Sequence, residues 1–265
     1  MARFLQLTDL HVVGKGMLCS NVLDTRSILR DAVNRLLELR PALDPLDAVL
    51  ITGDVSDDGS RDSYAFARTH LERLGLPLFL VPGNHDARDP MRAAFAGQEW
   101  MPKNGLIDWQ AQIGDTQLVG LDSLVEGQGG GQLRGDSLAV LSDVLADNDD
   151  GPLIIMLHHP PIQTGICFMD AIGLENADAL GAVLEGSNRD VTVIAGHVHG
   201  VHHGKIGGHV VATAPAICSG FALDRRDNAT VGFLKGPTGC AVIDTGPGGI
   251  WSAVSLDPFD GPFSF

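Results

Sequence analysis

The sequence predicts an α/β protein. Short apolar runs alternate with amphipathic segments, and five of the runs end in a motif built from Asp, Asn and His. The apolar runs span about five to eight residues, which suits buried strands; a membrane-crossing helix needs about twenty. Strands that alternate with helices form βαβ units. A chain of 265 residues that is 44% hydrophobic can fill one large core, so a single domain is expected.

Residues 4–7 read as the first strand. Residues 24–39 then place Ile28, Leu29, Ala32, Val33, Leu36 and Leu37 on one helical face, with Asp24 as N-cap. Strands at 48–52 and 78–81 enclose a helix at 60–74, and a further helix covers 88–96. Strand 117–121, helix 136–146, strand 153–157, helix 176–185 and strand 191–195 continue the alternation. After Val191 the helices stop. Residues 210–213 and 241–244 read as strands, with Gly207-Gly208 as a hairpin turn. Residues 126–131, 221–238 and 257–265 are loop-like. The second of these is expected to be a solvated connection, or else a lid or partner contact. The third carries three phenylalanines that either fray or dock.

Net charge is −15, from 18 Lys+Arg against 33 Asp+Glu. Such a surface repels polyanions, which argues against a nucleic-acid groove and against anionic membranes. A small anionic substrate stays compatible if bound cations reverse the local sign. The four cysteines lack a Cys-x-x-Cys spacing and are expected to be free thiols. Residues 1–9 run straight into a motif with no room for a signal peptide, so the expected location is the cytoplasm.

The five motifs are Asp9-Leu10-His11, Gly53-Asp54, Gly83-Asn84-His85-Asp86, His158-His159-Pro160 and Gly196-His197-Val198-His199. Strand ends on one sheet edge converge, so these side chains can meet. Asp9, His11, Asp54, Asn84, His158, His197 and His199 are seven donors, too many for one tetrahedral ion and suited to two cations that share Asp54. The mixed oxygen and nitrogen set favours Mn, Fe, Co or Zn. Two such ions about 3.5–4 Å apart acidify a shared water and offset charge on phosphoryl oxygens. A poor alkoxide leaving group then needs a proton. His85 is the expected donor, and it forms the catalytic pair of its motif with Asn84. Asp86 is read either as the partner of His85 or as a cap of the helix at 88–96. His159 is left outside the ligand set, His202 and His203 line the pocket or sit in a hairpin, and Asp57, Asp58 and Asp62 read as a solvated loop and helix cap.

In these motifs the sequence resembles the calcineurin-like metallophosphoesterase superfamily. The resemblance spans Asp9 to His199. It implies a four-layer αββα sandwich of two mixed sheets flanked by helices, with a dinuclear site at strand C-terminal ends. It further implies that Asp9, His11, Asp54 and His199 hold one metal, that Asp54, Asn84, His158 and His197 hold the other, and that His85 contacts the phosphate. His158-His159-Pro160-Pro161 and the Gly-His-Val-His motif look like the bacterial branch of class III cyclic nucleotide phosphodiesterases and glycerophosphodiesterases. Residues 165–176 look closer to the glycerophosphodiesterase side. Relatives of this kind are dimers or larger homo-oligomers, with a C-terminal segment near the active site. Residues 1–215 are therefore expected to form the catalytic part, with 216–265 completing the sandwich as a cap or subunit contact.

The expected activity is hydrolysis of small glycerophosphodiester-like diesters, and the alternative is a 3′,5′-cyclic nucleotide phosphodiesterase. With one Tyr and three Trp, a stacking surface for a base is hard to place from sequence. A catalytically silent metal-binding scaffold would require a broken ligand set or a missing His85, and neither is present. The acidic balance speaks against a nuclease.

Overall fold

A computed structural model describes residues 1–147, 150–246, 249–261 and 263. In chain order the elements are β1 (Arg3–Leu7), α1 (Thr25–Leu43), β2 (Ala48–Ile51), α2 (Arg61–Leu71), β3 (Leu78–Leu80), α3 (Arg88–Ala94), β4 (Trp109–Ile113), β5 (Thr116–Gly120), α4 (Gly135–Ala146), β6 (Leu153–Met156), α5 (Cys167–Asp170), α6 (Ala177–Leu184), β7 (Val191–Ala195), β8 (His203–Ile206), β9 (His209–Thr213), β10 (Gly239–Asp244) and β11 (Ile250–Ser255). Phe265 of the aromatic tail lies outside the described residues.

The strands form two mixed sheets, ordered β11-β10-β1-β2-β3 and β4-β5-β6-β7-β9-β8. Within them β1-β2-β3 and β5-β6-β7-β9 run parallel, and the remaining pairs are antiparallel. Strand alternation divides the core. On β6, Leu153 and Ile155 pack with Leu141 and Val144 of α4 and with Leu180 and Leu184 of α6. The intervening Ile154 and Met156 point the other way, into a second core with Phe4, Leu50 and Ile51. That core also takes Leu29, Val33 and Leu36 of α1 and Tyr64 and Leu71 of α2. The layers are therefore helix, sheet, sheet, helix, as the family resemblance implies.

Caps follow the local chemistry. Asp24 accepts from Ser27 N at 3.1 Å, and Ser60 accepts from Ser63 N at 3.2 Å, which sets the starts of α1 and α2. Gly207 and Gly208, at φ 54° and 89°, close the β8-β9 hairpin.

Three strands escape the sequence pattern: β4, β8 and β11. Each is the edge of a sheet, and each exposes part of its length, as Gln110 of β4, Lys205 of β8 and Ile250 of β11 show. Edge strands with a wet face do not build continuous apolar runs. On β4, Trp109 pairs across the ladder with Gly120 of β5, where a Cβ would lie 2.2 Å from the indole ring. The indole Nε1 donates to Leu80 O at 2.7 Å and so ties the second sheet to β3. Gly120→Ala should destabilise the fold by about 2 kcal/mol through overpacking against this anchored ring. Urea unfolding measures it, and an unchanged midpoint would show that Trp109 can move aside.

Candidate metal centre

The motifs sit where β1, β2, β3, β6 and β7 end, so both sheets deliver them to one side of the sandwich. Buried Gln6 helps join the two edges, since its Nε2 donates to Ala195 O at 3.0 Å and to Thr52 Oγ1 at 3.1 Å. The turns after the strands are tight. Asp9, His11, Asp54, His197 and His199 all adopt left-handed φ, between 44° and 71°. Such conformations persist only where surrounding contacts overdetermine them. At Gly53, φ is 95° and a Cβ would meet the His158 ring at 2.4 Å, so only glycine lets Asp54 approach.

All seven expected donors are gathered. His11 Nε2 lies 3.3 Å from His199 Nε2, 3.4 Å from Asp54 Oδ2 and 3.8 Å from Asp9 Oδ1, and His199 Nε2 is 3.3 Å from Asp9 Oδ1. Beside this group, His158 Nε2 lies 3.1 Å from Asn84 Oδ1, 3.2 Å from His197 Nδ1 and 3.3 Å from Asp54 Oδ2. Asp54 Oδ2 thus belongs to both groups, while its Oδ1 accepts from His85 N at 2.9 Å.

The outer nitrogens decide which atoms are bare. His158 Nδ1 donates to Thr52 O at 2.8 Å, His197 Nε2 to Ile172 O at 3.0 Å and His11 Nδ1 to Asp57 Oδ1 at 2.9 Å. His199 Nδ1 meets Ser219 Oγ at 3.0 Å. With the outer nitrogens engaged in this way, the inner nitrogens face one another and the carboxylates, and would offer lone pairs to a cation once their protons are displaced. Donors about 2.0–2.2 Å from a tetrahedral ion sit roughly 3.4 Å apart, the spacing seen here. The residues fit cations.

Protonation tells the same story without metal. Burial alone would lower the pKa of His158, but Asp54 and Asp9 hold it at about 9. His199 is likewise held at about 9, by Asp9 against burial. Burial, with His158 alongside, pushes His197 down to about 3. Protons on His158 and His199 thus offset Asp9 and Asp54, and a cation binding there would displace them.

The structure corrects two readings. Asp86 neither partners His85 nor caps α3, whose N-cap is Ala87. Its buried carboxylate accepts from Val55 N, Ser56 N, Gly83 N and Tyr64 Oη instead. The partner of His85 is Asp57, at 3.2 Å from Nδ1, and the same Oδ1 serves His11. Asp57 reads in sequence as one of several loop carboxylates; its signal is a position three residues after Asp54. His159, next to His158, turns to Ser123 Oγ at 2.8 Å and Gly129 O at 3.1 Å and supports the glycine-rich loop. His203 packs on Trp251 away from the centre, and neither it nor His202 lines the cavity.

A cavity of about 210 Å³ opens over the donors. Its far wall is apolar: Leu23, Phe168, Met169, Ile172, Phe221 and Phe233. Among the described residues it takes no lysine, arginine, tyrosine or tryptophan. Phe221 stacks on the His199 ring at 4.3 Å and meets Phe168 edge-on at 5.3 Å. The aromatic surface that Tyr and Trp counts fail to reveal is made of phenylalanine.

Residues 2–201 match the family model of the calcineurin-like phosphoesterases, and the chain belongs to that family. It is a metallophosphoesterase, a hydrolase acting on phosphoesters. It is 29% identical over 263 residues to the probable glycerophosphodiester phosphodiesterase GpdQ of Arcobacter nitrofigilis, covering 98% of this chain and 95% of the relative. It is 32% identical over 222 residues to the 3′,5′-cyclic adenosine monophosphate phosphodiesterase CpdA of Pseudomonas aeruginosa, covering 84% and 78%. A dimetal phosphatase from Danio rerio superposes with a TM-score of 0.70 over 97% and 96% of the two chains at 15% identity, a likeness of fold. Among the described residues no helix is long and apolar enough to cross a membrane.

Asp57 raises the His85 pKa above its ordinary value, against burial. Protonated His85 therefore favours the folded state. That contribution is fully present below the unfolded pKa of 6.5 and is lost as pH rises through the folded one. Asp57→Asn should lower the His85 pKa in a histidine NMR titration of the metal-free protein. An unmoved resonance would remove Asp57 as its partner.

Proposed function

We propose that this chain is a phosphodiesterase of small diesters that works through two cations sharing Asp54. One observation carries the reading: Asp54 Oδ2 lies 3.4 Å from His11 Nε2 and 3.3 Å from His158 Nε2, a single oxygen facing both donor groups. Asp9, His11, Asp54 and His199 hold one ion, and Asp54, Asn84, His158 and His197 hold the other. Mn, Fe, Co or Zn suits this donor set. When bound, the pair supplies an acidified water as nucleophile and positive charge for the phosphoryl oxygens.

The chain's own residues complete the chemistry. His85 stands at the cavity, its side chain 42% exposed, with Nδ1 held by Asp57. Its other nitrogen is free to give a proton to the departing alkoxide. Burial would raise the Asp57 pKa, but hydrogen bonds from His11 and His85 hold that carboxyl well below the usual range. Asp57 therefore stays ionised, keeps His85 oriented and favours its protonated form. The apolar wall excludes water and receives one ester arm.

The substrate class expected from residues 165–176 is a glycerophosphodiester, and the full-length similarity to a GpdQ-type relative supports it. A second reading, a 3′,5′-cyclic nucleotide, is favoured by Phe168, Phe221 and Phe233 in the wall and by the CpdA-type relative. Base stacking on such rings contributes about 1–3 kcal/mol each. Residues 216–265 supply Ser219, Phe221 and Phe233 to the cavity, the part of a cap, and β10 and β11 to a sheet. Exposed Met17, Leu18, Leu223 and Val231 suit a contact between copies of the chain.

His85→Ala should retain metal and lose about 10²–10³-fold in kcat on diesters of weakly acidic alcohols, with the smallest loss on bis-p-nitrophenyl phosphate. Equal losses would take His85 out of the leaving-group role. A kcat/KM panel of cyclic AMP, glycerophosphoethanolamine and a simple phosphomonoester tests the substrate class, and a strong monoester preference would sink the diesterase reading. In the same panel Phe168→Ala should raise KM for cyclic AMP about tenfold, the loss of one stacking contact, and leave glycerophosphoethanolamine nearly unchanged. A parallel rise for both would mean that the wall does not select.

A further inference from the structure

We infer that Asp86 is a positioning residue that clamps the turn carrying Asp54 to the turn carrying Asn84, and so sets the geometry of the second cation site. The inference rests on the two-cation reading. Asp86 is 5% exposed, and its carboxylate gathers four donors. Oδ2 accepts from Val55 N at 3.2 Å and Gly83 N at 2.9 Å, and Oδ1 accepts from Ser56 N and Tyr64 Oη at 3.0 Å each. Val55 and Ser56 follow Asp54 directly, and Gly83 immediately precedes Asn84. Backbone groups from two strand-end turns therefore converge on one side chain.

The ladder explains why a clamp is needed. The parallel pairing of β2 with β3 ends at Ile51 and Leu80, with a last bond from Val81 N to Ile51 O at 3.1 Å. Beyond it the chains diverge into turns, and Asp54 takes a left-handed φ of 50°. There the turns are joined by His85 N on Asp54 Oδ1 and by the Asp86 carboxylate. Tyr64 of α2 braces the clamp from behind: it donates to Asp86 and accepts from Ala87 N at 2.7 Å. The four donors include none from Asp9, His11 or His199. Asp54 faces both groups, and His11 N and Val12 N also bond to Asp54 O and Val55 O. Asn84 serves the second ion alone, so the effect of Asp86 should fall more heavily on the ion held by Asp54, Asn84, His158 and His197. The fixed position is a buried acceptor, which an amide cannot replace: in either orientation Asn turns its NH2 toward at least one backbone N–H, Ser56 N or the pair Val55 N and Gly83 N.

The test is a Mn²⁺ titration of the wild type, Asp86→Asn and Tyr64→Phe. Equilibrium dialysis gives the stoichiometry, and electron paramagnetic resonance separates the spin-coupled pair from a lone ion. Asp86→Asn should weaken the second ion about 100-fold and the first by much less, replacing the coupled signal with a mononuclear one. Tyr64→Phe keeps the carboxylate and loses one donor; it should weaken the second ion about tenfold with the same selectivity. It carries the test if the Asn variant does not fold. Two ions bound with wild-type affinity in the variants, or equal loss of both ions, would overturn the inference while leaving the two-cation reading intact. A wild type that binds a single ion would overturn both.

Discussion

Histidine nitrogens and carboxylate oxygens crowd into one buried volume, and the rest of the site is arranged around that crowding. His11, His158, His197 and His199 each turn one nitrogen inward, and Asp9 and Asp54 add two carboxylates, all at most 8% exposed. Left alone, such groups repel one another, and removing them from water costs several kcal/mol per charge. Protons on histidines held at about 9 offset part of this in the metal-free protein. Bound cations would offset more of it. The layered fold tolerates the arrangement because it places the crowding at strand ends, with a complete core on both sides of the sheets.

Outside the donors, a ring of acceptors fixes them. Thr52 O, Ile172 O and Asp57 each hold the outer nitrogen of one histidine, and Ser219 meets that of His199. Such outer partners set which nitrogen carries the proton. The cavity wall adds to this ring. Ile172 lies in the wall after α5, and Phe221 stacks on His199. Asp57 performs a similar service between centre and mouth, because one oxygen serves both His11 and His85.

Much of this was legible in the sequence. Buried parallel strands announce themselves as apolar runs, and β1, β2, β3, β6 and β7 carry the donors, so runs and motifs coincide. The edge strands β4, β8 and β11 were not legible, since their wet faces break the apolar pattern. The donors could be read because their chemistry demands particular residue types at strand ends. Their supports could not. Asp57 and Asp58 are adjacent and look alike in sequence, yet one turns to His11 and His85 and the other accepts from Gly14 N and Ser60 N. Asp86 sits beside His85 in sequence and faces away from it in space. The apolar wall was hidden because its phenylalanines come from segments without regular periodicity.

The shared role of Asp54 is tested most directly by a crystal structure of the manganese-loaded protein with anomalous scattering data. Two peaks should appear, one among Asp9, His11 and His199 and one among Asn84, His158 and His197, with Asp54 Oδ2 between them. A single peak, or two peaks of which Asp54 touches only one, would contradict a shared carboxylate.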